Sequence, residues 1–165
     1  MSGKKALVVY YSRTGTTRKV AEKIAAALKC DIEEINDTRD RSGAWGWLRG
    51  GGDATRSKQT IIRKMEKEPG AYDVVIIGTP VWAFTMTPAV RTFISDQRER
   101  LKEVAFFCTM GGSGDERTFR KMGELCGRKA TAVLSLKTKD VTAGADDDRV
   151  RAFANELSGE APLNS

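Results

Sequence analysis

The chain has 165 residues, 30% charged and 40% hydrophobic, with a formal net charge of +6 and no histidine. Those totals fit one globular domain over residues 1–165 that buries a core without disulfides or metals. They exclude a disordered chain, an apolar span of roughly 18 residues crossing a membrane, and catalysis by Ser-His-Asp, Cys-His or histidine-bound metal.

Taken in chain order, "KKALVVYY" (4–11) reads as a strand. A helix follows from about Thr17, with Val20, Ile24 and Leu28 along one face. "CDIEEIN" (30–36) reads as a second, half-buried strand. The connection "DTRDRSGAWGWLRGGGDAT" is long, charged and rich in glycine, and a helix carrying Ile61, Ile62 and Met65 is expected after it. "YDVVIIGTP" (72–80) is a buried strand, and its helix opens at Thr87-Pro88, an N-cap followed by proline at N1, with Val90, Phe93 and Ile94 inward. "EVAFFCTM" (103–110) is another buried strand, and Ser113-Gly-Asp-Glu116 reads as a capping box for a helix bearing Phe119, Met122 and Leu125. "ATAVLSL" (130–136) is the fifth strand. Asp146, Asp147 and Asp148 suit the positive end of a last helix with Val150, Phe153 and Leu157, and residues from about 159 on read as a loose tail.

Five apolar strands alternating with helices predict an α/β, doubly wound, five-stranded parallel sheet in the order 2-1-3-4-5, with helices on both faces. Ligands of such sheets sit beyond the carboxyl ends of the strands, where the strand order reverses. The loops 11–17, 79–87 and 109–115 should therefore converge.

Seven cations precede residue 30 against Glu22 alone, so the excess charge surrounds the first of these loops in sequence. No basic run is interleaved with aromatics and no nucleic-acid-binding motif occurs, so no nucleic-acid partner is expected. Cys30, Cys108 and Cys126 are far apart and form no CxxC pair, so no metal site or disulfide framework is expected. The N-terminus lacks the apolar stretch of a secretory signal, and the expected location is the cytoplasm.

The first loop places Ser12, Arg13, Thr14, Gly15, Thr16 and Thr17 where a helix begins. Backbone N–H groups there favour an anion, hydroxyls donate to phosphate oxygens, and glycine lets the chain approach closely. Any one threonine would suit an ordinary capped turn, but the whole set points to phosphate. Neither a Walker A loop nor G-x-G-x-x-G is present, so a single terminal phosphomonoester is favoured over a pyrophosphate. The second loop, Thr79, Pro80, Val81, Trp82, Ala83 and Phe84, offers an aromatic wall, which taken alone would read as core packing. The third, Thr109, Met110, Gly111, Gly112, Ser113 and Asp115, offers backbone that can meet the edge of a flat ring, although a flexible turn would have the same composition.

Together the three loops describe a site for a mononucleotide with a planar head, most naturally FMN, and here the sequence resembles the flavodoxin family. Ser12-x-Thr14-Gly15-x-Thr17 matches that family's phosphate loop, Trp82 stands in its aromatic flavin loop, and "FFCTMGGSGD" resembles its second flavin loop. The resemblance spans residues 4 to 157 and implies a short-chain, flavodoxin-like member binding FMN through the residues just named. It also implies electron transfer to a redox partner protein or small electron acceptor, with no side chain acting as acid or base. The second flavin loop has no aromatic, the 79–87 loop has no glycine, and the chain is basic where carrier flavodoxins are acidic. Two alternatives stand beside the carrier: a small FMN-dependent NAD(P)H:quinone-type reductase, and a non-redox flavodoxin-fold binding module. Trp45 and Trp47 suit either packing on the sheet edge or a lid beside the flavin. C-x5-R is absent at all three cysteines, which excludes a small tyrosine phosphatase, and Tyr10, Tyr11 and Thr79 stand where a receiver domain needs carboxylates.

Overall fold

The computed structural model describes residues 4–38 and 60–159. Five strands form one parallel sheet: β1 (Ala6–Tyr10), β2 (Asp31–Glu34), β3 (Val74–Pro80), β4 (Glu103–Met110) and β5 (Val133–Lys137). Their order is β2-β1-β3-β4-β5, as the sequence predicts. Helices α1 (Thr16–Leu28), α2 (Pro88–Gln97), α3 (Asp115–Cys126), the short α4 (Thr138–Thr142) and α5 (Asp147–Ser158) alternate with the strands. No helix among the described residues is long and apolar enough to cross a membrane.

Strand periodicity sorts the core into two layers. Leu7, Val9, Val75, Ile77, Val104 and Phe106 face α2 and α3 and pack with Val90, Phe93, Ile94 and Met122. Val8, Tyr10, Val74, Ile76, Ala105 and Phe107 point the other way, against Val20, Ala21 and Ile24 of α1 and Val150, Phe153 and Leu157 of α5. Gly78 is glycine for a packing reason: a Cβ there would run into the ring of Phe107, its neighbour across the β3–β4 pair.

Two expectations need correction. Residues 60–68 are not helical: Ile62 forms an isolated bridge with Asp37, and the Arg63 N–H donates to Asn36 O at 2.8 Å. The N–H groups of Glu66 and Lys67 donate to the Glu33 carboxylate at 2.7 and 2.8 Å. The edge beside β2 thus takes the donors a helix would need, and Ile62 and Met65 still reach the core from an irregular chain. The Ser113–Glu116 capping box does not form either. Gly114, at φ 108°, is the N-cap of α3, with no side-chain cap. By contrast Thr87 caps α2, its hydroxyl accepting from the Val90 N–H at 3.4 Å. Trp45, Trp47 and the tail beyond Gly159 lie outside the described residues.

Candidate functional site

Where β1 ends, the chain turns through Ser12–Gly15 into α1. The Gly15 N–H donates to Ser12 Oγ at 3.0 Å, and Gly15 adopts φ 101°, a conformation that favours glycine. A Cβ at Gly15 would meet nothing within 4 Å, so space lies open beside the loop. No side chain caps α1 and its first turn holds no acid. In contrast α2 is capped by Thr87, α3 begins with Asp115 and Glu116, and α5 begins with Asp147 and Asp148. The first N–H groups of α1 have no intrahelical acceptor and the helix dipole adds positive potential there. Thr14 is exposed, and Ser12, Arg13 and Thr16 are half-buried around this end. Thr17 differs: it is buried, and its Oγ1 lies 2.8 Å from Thr109 Oγ1, tying the first loop to the end of β4.

After β3, Thr79 is fully buried and its hydroxyl is spent on the chain itself, donating to Pro80 O at 2.8 Å and accepting from the Thr87 N–H at 3.1 Å. The N–H of half-buried Val81 donates to Thr109 O at 2.9 Å. A two-residue turn follows. Trp82 N–H donates to Thr85 O at 2.9 Å, and Thr85 N–H donates to Trp82 O at 3.1 Å. Its central residues Ala83 and Phe84 have φ 51° and 63°, the type I′ pattern normally given to Asn and Gly. Left-handed backbone at non-glycine residues costs about 1–2 kcal/mol each, so tertiary contacts must hold this turn. Trp82 is buried, edge-on to Tyr11 with centroids 5.7 Å apart, and the Arg13 guanidinium carbon lies 5.9 Å from its ring centre. Phe84 is 54% exposed. The aromatic wall therefore has a fixed ring, Trp82, and an open one, Phe84.

The loop after β4 closes against this turn. A Cβ on Gly114 would lie 2.9 Å from Val81 Cγ1 and 3.2 Å from Phe84 Cδ1, so only glycine admits the approach. Thr109 and Met110 are buried, Met110 O accepting from the Thr138 hydroxyl at 3.2 Å. Gly111, Gly112 and Ser113 are exposed, while Asp115 is half-buried at the start of α3. The predicted residues thus come to one end of the sheet, from three loops joined through Thr17–Thr109, Val81–Thr109 and the Gly114 contact. Sequence reasoning took Gly114 only as one small residue of the 109–115 loop, and it missed Arg91, a buried arginine on α2 whose Nη2 donates to Thr85 Oγ1 at 3.3 Å. Its position among apolar helix residues was the available signal.

Charge is distributed differently in space than in sequence. Lys4 pairs with Glu103, Arg18 with Glu34, and Lys23 with both Asp146 and Asp147. The N-terminal excess is thus partly neutralised by acids from later in the chain, while the positive end of helix α1 and Arg13 remain beside the first loop. No group of His, Cys, Asp or Glu among the described residues is arranged to hold a metal. Burial pushes the Cys108 thiol up to about 12 and those of Cys30 and Cys126 up to about 11, so none is a ready thiolate.

The profile of the flavodoxin family matches residues 5–142. No curated protein sequence matches the chain significantly. Among solved structures, a flavoprotein from Lactobacillus acidophilus NCFM in complex with FMN is 23% identical with a TM-score of 0.74, over 92% of this chain and 99% of that one. A protein assigned as a flavoprotein from Bacteroides eggerthii is 28% identical with a TM-score of 0.71, over 87% of this chain and 97% of that one. The two-electron reduced flavodoxin of Megasphaera elsdenii shares the fold at 22% identity and a TM-score of 0.55, over 92% of this chain and 98% of that one.

Proposed function

The chain belongs to the flavodoxin family, and from that premise we propose that it binds FMN non-covalently between the loops 12–17, 79–87 and 109–115 and works as an electron carrier. The observation that carries the reading is the start of α1. An uncapped, acid-free helix end opens among Ser12, Thr14 and Thr16, with room beside Gly15 for an anion. The open Cβ space and unpaid backbone donors fit a phosphate group. Ser12, Thr14, Thr16 and the first N–H groups of α1 would hold it, with Arg13 adding charge. Phe84, Trp82 and the backbone of Gly111–Ser113 would flank the ring. Bound there, FMN supplies the electron-accepting chemistry, while the protein binds and orients it and sets the field around it.

A reductase using NAD(P)H and a quinone-type acceptor is the second reading. The exposure of Gly111, Gly112 and Ser113 favours it, because an uncovered ring face admits a second substrate. Steady oxidation of NAD(P)H in the presence of a quinone by the pure protein selects this reading over the carrier.

The test is a fluorescence titration of apoprotein into FMN and, separately, riboflavin. FMN should bind at least about a hundredfold more tightly, since two charge-assisted hydrogen bonds of about 1.5 kcal/mol each supply that ratio. Equal affinity for the two would remove the phosphate cradle, and no quenching of either would remove the flavin.

A further inference from the structure

Helix α2 buries Val90, Phe93 and Ile94, and between them it also buries Arg91, which is 8% exposed. Its Nη2 donates to Thr85 Oγ1 at 3.3 Å, and its Nε has no hydrogen-bond partner. Among the described residues no carboxylate pairs with it. Loss of solvent pulls its pKa below the ordinary value, yet an arginine stays protonated at any working pH. A buried charge without a counter-charge is costly, and a neutral side chain of similar size would fill the same space at less expense.

Its position explains what the charge can act on. Thr85 closes the turn whose tip, Ala83–Phe84, packs on Gly114 and forms one wall of the proposed ring site. The same turn meets a second cation: the Arg13 guanidinium carbon stands 5.9 Å from the Trp82 ring centre. Two guanidinium groups thus contact the aromatic turn, Arg91 at Thr85 and Arg13 at Trp82. Asp115, half-buried at the start of α3, is the one carboxylate in the three loops, and the positive end of its own helix faces it. The two guanidinium groups contribute positive potential at the turn, and charges in a dry interior act over longer distances than in water.

We propose that Arg91, with Arg13, raises the affinity of this protein for reduced FMN relative to oxidised FMN. The inference rests on the flavin reading above. On reduction the ring takes up two electrons and one proton and gains one negative charge, which a positive surround favours. Arg91 acts from behind the turn, as a positioning and electrostatic residue.

The experiment uses full-length protein loaded with FMN, titrated anaerobically with dithionite against an indicator dye, for wild type, Arg91→Met, Arg91→Gln and Arg91→Lys. Removing the charge should weaken reduced FMN at least tenfold relative to oxidised FMN, a fall of about 30 mV in the two-electron potential. Arg91→Lys should keep the wild-type potential. Thermal unfolding of the apoproteins is the second readout: Arg91→Met should melt higher than wild type, because the cost of burying the guanidinium charge is gone. Arg91→Gln keeps a donor for Thr85 and serves if the methionine variant does not fold. Normal FMN binding with an unchanged potential in the neutral variants overturns the proposal and leaves the flavin reading intact, as does a lower melting temperature with no change in potential. Failure of wild type to take up FMN overturns both.

Discussion

Single residues decide whether three ordinary loops become a site. Thr14 is exposed at the mouth of the first loop, whereas Thr17 is turned inward onto Thr109. The two threonines should therefore respond differently to removal of the hydroxyl. Thr14→Ala should weaken FMN about tenfold, or about 1.4 kcal/mol, leave riboflavin unchanged and keep the melting temperature. Thr17→Val should lower the melting temperature, because it strands the buried Thr109 hydroxyl at a cost of about 1–3 kcal/mol. Parallel titrations and melts of the two variants separate these effects. Gly114 combines φ 108° with contacts to Val81 and Phe84, so Gly114→Ala pushes the second and third loops apart. Its expected signature is a loss of both FMN and riboflavin binding, unlike the phosphate-specific loss at Thr14.

At the level of elements, the clamp between α1 and α5 shows how helices are fixed over the sheet. Lys23 Nζ lies 2.7 Å from an oxygen of Asp146, which is fully buried, and 2.7 Å from one of Asp147, which is exposed. Lys23→Met would leave Asp146 without its cation. The expected cost is about 2 kcal/mol, between an exposed pair and a buried one. The pH dependence has a definite sign on each side. Hydrogen bonds to the two carboxylates raise the Lys23 pKa, so its contribution is complete below the unfolded lysine value and is lost as pH rises through the folded one. The Lys23 ammonium lowers the Asp147 pKa, so that contribution is complete above the unfolded carboxylate value and is lost as pH falls through the folded one. Melting curves of wild type and Lys23→Met should accordingly lie furthest apart near neutrality and converge at both extremes. A constant gap across pH would mean that packing, not charge, joins the two helices.

Over the whole molecule, the protein's own thiols are put out of reach, which accords with the proposal that redox work falls to the flavin. Cys108 and Cys126 are buried, Cys30 is half-buried, and burial raises all three thiols. Native protein should thus react slowly with iodoacetamide at neutral pH, at Cys30 first, and all three thiols should react fast only on unfolding. Mass spectrometry of the labelled sites reads this directly; rapid native labelling of Cys108 would show that the end of β4 opens.

The amino-acid sequence by itself determined the strand order, the two-layered core and the convergence of three loops. Those features follow from local patterns: apolar strands with a period of two, helices with a period near four, and turn residues where strands end. The run Ser12–Thr17 is legible as a candidate anion site because hydroxyls and a glycine at a helix start are chemistry written within six residues. What only the tertiary structure decided depends on partners distant in the chain. Residues 60–68 lost their helix to Glu33 and Asn36, and the charges of Lys4, Arg18 and Lys23 were cancelled by Glu103, Glu34, Asp146 and Asp147. Trp82 was packed on Tyr11 while Phe84 was left open, and Arg91 was buried behind the turn it braces. Each of these outcomes balances the cost of desolvation against contacts made across many residues, and no local pattern records that balance.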